Sequence, residues 1–291
     1  MKPFKKLNIK KDDLVLEIGS GHSPHYRSDV LCDKYLVDDE RGGELVKDRL
    51  AILGDGINLP FKDKSFDYVI ASHVLEHATD PDKFLKEIMR VGKKGYIETP
   101  SMIWEILHPS RKYHRWMILQ IDDVLCFFTK DQSYYNSVLG RLFELIAVNY
   151  LEYKLFMKVL HKLFIVEYGW DGKINYLINP TDEYFKSFFK NPWNEENFLE
   201  FCDKRTNGKQ ILNIAINLLD SFKIKLLNKP EKMWFSLSKD IRIRRKNIDL
   251  SSILACPKCK GDVEILQNEV KCPTCKLTFK RKNGILDMIL K

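Results

Sequence analysis

Four of the seven cysteines form two Cys-x-x-Cys pairs near the end of the 291-residue chain. Twelve residues separate the pairs "CPKC" and "CPTC", whose members are Cys256, Cys259, Cys272 and Cys275. Each pair can present two thiolates to one tetrahedral ion, so the spacing predicts a structural zinc site with no open coordination position. Two disulfides or an iron cluster are the alternatives.

Glycines and carboxylates follow the strand-like segments of the first hundred residues. The apolar run "VLEIGSG" meets Gly19 and Gly21, which permit a sharp turn and a close approach to a ligand. Asp33 and Asp55 each come after a short apolar segment. Ligands of open parallel sheets bind outside the carboxyl ends of the strands, and carboxylates there accept hydrogen bonds from ribose hydroxyls or an adenine amino group. These residue types predict a nucleoside site.

The elements that would position these groups alternate between strands and helices. Apolar segments predict strands over 14–18, 66–73 and 96–99, with another ending at Asp33. A helix is predicted from Pro81, with Asp80 as its N-cap and Gly92 as its stop. This alternation predicts an α/β protein with a doubly wound, mostly parallel sheet.

The first hundred residues resemble a known family. "VLEIGSG" and "GDGINLPFKDKSFDYVIASHVLEHATDPDKFLKEIMRVGKKGYIETP", within residues 13–101, are similar to the class I S-adenosylmethionine-dependent methyltransferases, a group that includes the quinone-biosynthesis methyltransferases. The resemblance implies a seven-stranded Rossmann-like sheet with S-adenosylmethionine as the cofactor. It further implies that the loop against the methionine part of the cofactor contains Glu17, Gly19, Ser20 and Gly21, and that Asp33 binds the ribose. Asp55 and Gly56 would then contact the adenine edge, and Ser72 and His73 would border the methyl group.

One part of the glycine motif departs from this family. Ser23 stands where the family often has another small residue, and Pro24 follows it, so the first helix is expected to be short or displaced. Asp38 or Asp39 is then a rival to Asp33 for the ribose. The dinucleotide alternative is disfavoured because Pro24 occupies the place of the third glycine in G-x-G-x-x-G.

Two pairs of histidines lie just beyond predicted strands. If the acceptor is a hydroxyl, His73 or His77 could act as the base, although both could instead cap a helix or bind backbone and cofactor carboxylate. His108 and His114 are expected in a loop that touches substrate or is surface structure. The Asn/Asp-Pro-Pro-aromatic signature of many nucleic-acid and protein-amide methyltransferases is replaced by "SHVLEH", which favours an oxygen, carbon or small-molecule nitrogen acceptor.

The middle of the chain has helical periodicity rather than chemical motifs. Apolar and aromatic residues recur at helical spacing over 138–164, which predicts core packing or a helix covering the substrate. The segment "LFIVEYGWDGKINYLI" predicts a hairpin that turns at Asp171-Gly172 and supplies the last two strands of the sheet.

The cysteine segment, residues 253–290, resembles the small zinc-ribbon proteins that activate several methyltransferases. That resemblance implies that the ribbon covers an apolar edge of a methyltransferase, here within the same chain. Nucleic-acid binding is the alternative, because 17 basic and 7 acidic residues lie between Lys223 and Lys291. The basic residues of the ribbon that would contact nucleic acid are Lys258, Lys260, Lys271, Lys276, Lys280, Arg281 and Lys282.

These observations predict two domains. A methyltransferase domain is expected over 1–245, with a motif core (13–101), an aromatic-rich segment (102–222) and a basic linker (223–249), followed by a zinc ribbon over 250–291. No apolar run reaches the length of a membrane span, which favours a cytoplasmic enzyme. The expected acceptor is a metabolite such as a glycan or lipid precursor. The alternatives are an RNA or translation-factor methyltransferase and a catalytically silent S-adenosylmethionine-binding scaffold, and the oligomeric state is open.

Overall fold

The computed structural model describes residues 7–37, 44–108, 113–130, 138–181 and 247–290. Ten strands form the main sheet in the order β10-β11-β12-β13-β3-β2-β1-β4-β5-β8. The first part of the chain supplies β1 (Val15–Ile18), β2 (Val30–Asp33), β3 (Leu50–Leu53), β4 (Phe66–Ser72) and β5 (Gly92–Pro100). These five pair in parallel, so the residues that follow them meet at one edge of the sheet.

The sequence explains why these strands lie in the centre of the protein. All four residues of β1 and all four of β2 are buried, which is typical of parallel strands covered on both faces. Helix α1 (Pro81–Val91) connects β4 to β5, and the Asp80 side chain accepts a hydrogen bond from the Lys83 amide at its start. Gly92 ends the helix as predicted, and β5 begins at that residue, four residues before the predicted strand.

The predicted hairpin at Asp171-Gly172 is divided between two sheets. Strand β8 (Ile165–Asp171) pairs antiparallel with β5 at the edge of the main sheet. Strand β9 (Asn175–Ile178) instead pairs in parallel with β7 in a separate three-stranded sheet, β6-β7-β9. The prediction that both strands join the main sheet was wrong for β9, because its residues Asn175–Ile178 hydrogen-bond to β7 instead.

Residues after β5 form short helices and the hairpin of that second sheet. Helix α2 (Met102–Leu107) begins directly beyond β5, and β6 (Trp116–Ile121) and β7 (Val124–Thr129) form a hairpin. The predicted helical segment consists of α3 (Val138–Asn149), α4 (Leu151–Val159) and α5 (His161–Phe164). None of the helices in the described ranges combines the length and hydropathy of a membrane span.

The cysteine-rich end of the chain extends the main sheet. It contains α6 (Leu250–Ile253), β10 (Glu264–Ile265), β11 (Glu269–Lys271), β12 (Thr278–Lys282) and β13 (Ile285–Asp287). Strand β13 pairs in parallel with β3, with Leu286 opposite Ile52. The mostly parallel α/β sheet is therefore confirmed, and it has more than the seven expected strands because the ribbon contributes four.

The ribbon also packs on the "LPF" segment that follows β3. The Ala255 amide donates to Pro60 O at 3.0 Å, and the Lys62 amide donates to Ile253 O at 2.8 Å. Phe61 and Leu254 form a β-bridge and are both fully buried. One apolar core consequently runs from the strands of the main sheet into the ribbon, where it includes Phe279.

Candidate active site

The glycine turn after β1 is held by the carboxylate that ends β2. Gly19 and Gly21 have φ values of +66° and +55°, in the left-handed region that favours glycine. A Cβ at Gly19 would lie 2.6 Å from Val74 Cγ2, so this turn has no space for a side chain. The buried Asp33 accepts a hydrogen bond from the Gly21 amide at 3.0 Å, which brings two predicted cofactor residues together.

Two further residues of the predicted cofactor loop are buried beside this turn. Glu17 accepts hydrogen bonds from the His25 amide (2.7 Å) and the Ser28 hydroxyl (2.5 Å), so it orders the loop between β1 and β2. Ser20 Oγ is buried and has no hydrogen-bond partner among the described residues. No helix forms between β1 and β2 in this described segment, as the departure at Ser23 and Pro24 led us to expect.

The predicted adenine edge, Asp55 and Gly56, follows β3. Asp55 forms an ion pair with Lys34, with Nζ 2.8 Å from Oδ2, and this bond raises the pKa of Lys34. A Cβ at Gly56 would collide with the Phe84 ring, so this glycine is required by the packing of α1. Asp38 and Asp39, the rival ribose ligands, lie outside the described residues.

At the end of β4, Ser72 and the next residue, His73, face the carboxylate of Glu98 on β5. Ser72 Oγ donates to Glu98 Oε1 at 3.1 Å, and His73 Nε2 lies 3.3 Å from the same oxygen. His73 Nδ1 is 3.5 Å from Glu76 Oε1. Burial lowers the pKa of His73, but its contacts with Glu76 and Glu98 outweigh burial and raise the pKa to about 9. The ring is therefore mainly charged at neutral pH.

His77 and His114 lie next to each other, although they are 37 positions apart in the sequence. Their rings form a T-shaped pair with centroids 4.7 Å apart. His114 Nδ1 is 2.6 Å from Glu105 Oε1, and Lys130 Nζ donates to the other oxygen of Glu105 at 2.6 Å. The structure thus brings His77, one of the two candidate bases, next to His114 of the second histidine pair.

His108, the other histidine of the second pair, does not join this group. Its ring stacks on Trp104 with centroids 4.0 Å apart, and it is 4% exposed. Nδ1 contacts the Trp104 carbonyl oxygen at 3.2 Å across one turn of α2. His108 therefore lies just after α2 as its C-cap, as a loop position implies, but it is buried against that helix and is not surface structure.

The four cysteines of the two pairs converge as predicted. Their four sulfur atoms all lie within 4.8 Å of one another. The two turns have the same geometry: the Lys260 amide donates to Cys256 O at 2.8 Å and the Lys276 amide to Cys272 O at 2.9 Å. Lys260 and Lys276 both have positive φ, +60° and +57°. This paired arrangement of thiols fits one tetrahedral ion.

Two segments of the chain match known protein families. Residues 32–97 match the family model described as a methyltransferase domain, and residues 247–284 match that of Trm112p-like proteins. The chain is thus similar to a methyltransferase domain over the first segment and to Trm112p-like proteins over the second. The first match begins at Cys32 in β2 and ends in β5, and therefore includes Asp33, Asp55 and the turn Leu75–His77, here called the "LEH" turn.

Curated methyltransferases are similar to parts of this chain. The demethylmenaquinone methyltransferase of Lactobacillus johnsonii is 32% identical over 120 residues, which cover 33% of this chain and 48% of that protein. The norajmaline N-methyltransferase of Rauvolfia serpentina is 44% identical over 56 residues, which cover 19% and 18%. The chain thus spans about half or less of the length of these relatives.

A solved structure combines both kinds of domain as separate proteins. It is a complex of the Haloferax volcanii Trm112 methyltransferase activator with a methyltransferase. It has 24% sequence identity and a TM-score of 0.27, and the match covers 33% of this chain and 48% of that chain.

The structure adds site residues that sequence reasoning missed. Glu76 and Glu98 are both buried, and together they contact His73, Ser72, Tyr96 and Thr99. A signal existed for Glu98, because a carboxylate in the apolar run "GYIETP" requires a partner when buried. Nothing local in the sequence linked His77 to His114, because α1, β5 and α2 separate them.

Proposed function

We propose that this protein is an S-adenosylmethionine-dependent methyltransferase whose cofactor lies over the carboxyl ends of β1, β2 and β4. The observation that carries the proposal is the hydrogen bond from the Gly21 amide to Asp33, which holds a left-handed glycine turn against a buried carboxylate. The match of residues 32–97 to a methyltransferase domain supports the same assignment.

The residues at this edge fit the cofactor. Ser20 Oγ is a buried polar atom without a partner among the described residues, so a bound ligand would satisfy it. Asp33 can accept hydrogen bonds from ribose hydroxyls, and Asp55 can contact the adenine side. S-adenosylmethionine, when bound, supplies a methyl group on an already activated sulfonium leaving group. The protein therefore needs mainly to bind and orient the two reactants.

Ser72, His73 and Glu98 would border the reacting groups. The two carboxylates beside His73 hold a cationic ring at neutral pH, so we assign it the binding of an acceptor oxygen and the orientation of Glu98. His73 would act as a base only in its neutral form. His77 remains the second catalytic candidate of the "SHVLEH" segment.

An apolar surface next to this edge favours a metabolite with a lipid-like part. Helices α3 and α4 enclose an open groove of about 790 Å³, lined mainly by apolar and aromatic side chains, including Leu142, Ile146, Tyr153 and Phe156. Tyr153 and Trp104 both contact the His108 ring, and Trp104 lies on α2, which begins where β5 ends. An acceptor in the groove could therefore extend toward the carboxyl edge of the sheet. We propose a glycan or lipid precursor on this basis.

For the Trm112p-like domain we propose a zinc ion on the four cysteines and a supporting role for the methyltransferase domain. Four thiolates fill a tetrahedral sphere, so the ion would be structural. Strand β13 covers the edge of β3, where an unpaired strand would otherwise expose its backbone groups. Such a thiol site suits a reducing compartment, which agrees with the cytoplasmic expectation.

Nucleic-acid binding by the ribbon receives less support. Two of the seven basic residues of the ribbon form ion pairs with carboxylates, because Lys260 pairs with Glu87 and Lys271 with Glu269.

The predicted limits of the two domains, at 245 and 250, stay proposals.

Equilibrium binding tests the cofactor assignment. Calorimetry with S-adenosylhomocysteine should show one saturable site, whereas NAD should not bind. Binding of NAD instead of S-adenosylhomocysteine would return the glycine turn to the dinucleotide alternative and refute the proposal.

A further inference from the structure

A second cluster of potential metal ligands lies apart from the cysteines. Glu76 and His77 are on the "LEH" turn after β4, and His114 lies two residues before β6. One ligand atom from each of the three lies within 4.8 Å of the other two. Glu76 and His114 are 1% and 9% exposed and His77 is half-buried, so the cluster is partly shielded from solvent.

The groups around the two histidines resemble the outer contacts of metal-bound imidazoles. His114 Nδ1 contacts the buried Glu105 carboxylate at 2.6 Å, and Glu105 is fixed in turn by Lys130. His77 Nδ1 contacts the Tyr113 carbonyl oxygen at 3.2 Å. Metal-ligating histidines usually donate their second ring nitrogen to a carboxylate or a backbone carbonyl, which fixes the tautomer. Because both rings use Nδ1 for such contacts, Nε2 is the atom through which each would bind an ion.

The third ligand is also oriented by its surroundings. Glu76 Oε2 accepts a hydrogen bond from Thr99 Oγ1 at 3.0 Å, which fixes the carboxylate plane beside the two rings. We propose that Glu76, His77 and His114 form a binding site for one divalent transition-metal ion.

The donor set indicates both the class of ion and the type of site. Two imidazoles and one carboxylate suit Mn²⁺, Fe²⁺, Co²⁺ or Zn²⁺, whereas Ca²⁺ and Mg²⁺ favour oxygen ligands alone. Three protein ligands leave coordination positions open, unlike the four thiolates of the ribbon.

A purely structural role does not account for the cluster. The β6–β7 hairpin is already held on the "LEH" turn by other bonds: the Arg115 amide donates to Glu76 O at 2.7 Å, and Trp116 Nε1 donates to Ala78 O at 2.8 Å. These bonds do not use the histidine rings or the Glu76 carboxylate.

The position of the site suggests what else the ion would bind. Val74, two residues before Glu76, lies against the Gly19 turn. An ion on the "LEH" turn would thus be close to the cofactor cleft, where an acceptor that carries oxygen donors could complete its coordination. This last step rests on the proposed function, whereas the metal site itself does not.

Manganese binding distinguishes this site from the cysteines. Mn²⁺ has little affinity for thiolate cages, so the full-length protein, loaded with zinc on the ribbon, can be titrated with Mn²⁺ and followed by electron paramagnetic resonance. We expect one saturable Mn²⁺ per chain, and at least a tenfold loss of affinity in Glu76→Gln and in His114→Ala. His161→Ala is the matched control, because His161 also faces a carboxylate, Glu167 at 3.4 Å, but is not part of the three-ligand cluster.

Each outcome of the titration decides the proposal. Saturable binding that both ligand variants weaken and His161→Ala leaves unchanged supports it. Absence of saturable binding, or equal affinity in all four proteins, overturns it. Thermal unfolding of the two variants, and calorimetry with S-adenosylhomocysteine on the same samples, show whether they are folded. If Mn²⁺ fails to bind while S-adenosylhomocysteine binds, the metal site is refuted and the proposed function stands.

Discussion

Lys260 of the ribbon reaches Glu87 of helix α1, with Nζ 2.8 Å from Oε2. The same ammonium group contacts Leu59 O at 3.3 Å, and Arg90 donates to both oxygens of the Glu87 carboxylate, at 2.7 Å to Oε1 and 2.8 Å to Oε2. Lys260 has the left-handed conformation that closes the first cysteine turn. The turn that shapes the metal site is thus the one that ties the ribbon to the methyltransferase domain.

Loss of this ion pair should weaken the attachment of the ribbon. Lys260→Met removes a charged donor from a carboxylate that is 9% exposed, which should cost about 1–2 kcal/mol because Arg90 remains. Thermal unfolding measures the effect. Lys258→Met, at an exposed position of the same turn, is the control and should leave the melting temperature unchanged.

The effect of Lys260→Met should depend on pH. Burial raises the pKa of Glu87, but the bonds from Arg90 and Lys260 outweigh burial and lower the pKa overall. The stabilisation by this pair is therefore complete above the unfolded glutamate pKa, about 4.3, and is lost as pH falls through the lower folded value. The difference in melting temperature between wild type and variant should be constant near pH 7 and should decrease below about pH 4. A difference that grows on acidification would contradict the assignment.

Removal of the ribbon metal should destabilise the methyltransferase domain as well. Strand β13 pairs with β3, and Met288 N donates to Leu53 O at 2.9 Å, so an unfolded ribbon would uncover this edge. Chelation should lower the melting temperature and increase the binding of an apolar dye. Zinc, but not magnesium, should reverse both changes. An unchanged melting temperature after complete zinc removal would show that the ribbon does not support the domain.

A side chain at Gly19 should disrupt the cofactor turn. Gly19→Ala places a Cβ 2.6 Å from Val74 Cγ2 at a φ of +66°, so both contact and backbone strain oppose it. We expect at least a tenfold loss of S-adenosylhomocysteine affinity by calorimetry. Gly169→Ala is the control, because a Cβ there meets nothing within 4 Å. The double variant Gly19→Ala/Val74→Gly should recover part of the loss, since it removes both Val74 Cγ2 and Val74 Cβ from the contact but keeps the strain at residue 19.

Asp33 should matter for the cofactor through its charge. Asp33→Asn keeps one acceptor oxygen for the turn but lacks the second carboxylate oxygen, so S-adenosylhomocysteine affinity should fall about tenfold or more. Glu269→Gln on the ribbon should leave affinity unchanged. Equal affinity of Asp33→Asn and wild type would move the ribose ligand elsewhere, for example to Asp38 or Asp39.

The sequence predicted the parts of this protein that depend on local patterns. The strands ending at Ile18, Asp33 and Ser72, the caps Asp80 and Gly92, and the convergence of the cysteines all follow from burial, capping or ligand spacing. The match of both segments to known domains agrees with the resemblance seen in the motifs.

Features that depend on contacts between distant segments could not be predicted in this way. The pairing of β9 with β7 rather than with the main sheet, and the approach of His114 to His77, are determined by how α2 and the β6–β7 hairpin fold back on the "LEH" turn. The attachment of Lys260 to Glu87 likewise joins residues 173 positions apart. Periodicity and spacing contain no information about such pairs.

Methyl transfer from labelled S-adenosylmethionine tests the central claim most directly. The protein is incubated with cell extract, and RNA, protein, lipid and polar metabolites are then separated and counted, with Gly19→Ala as the inactive control. We predict label in the lipid or polar metabolite fraction with wild type and a strong reduction with the variant. Label in RNA would contradict the proposed acceptor, and binding of the cofactor without label in any fraction would contradict the proposal that this protein is an enzyme.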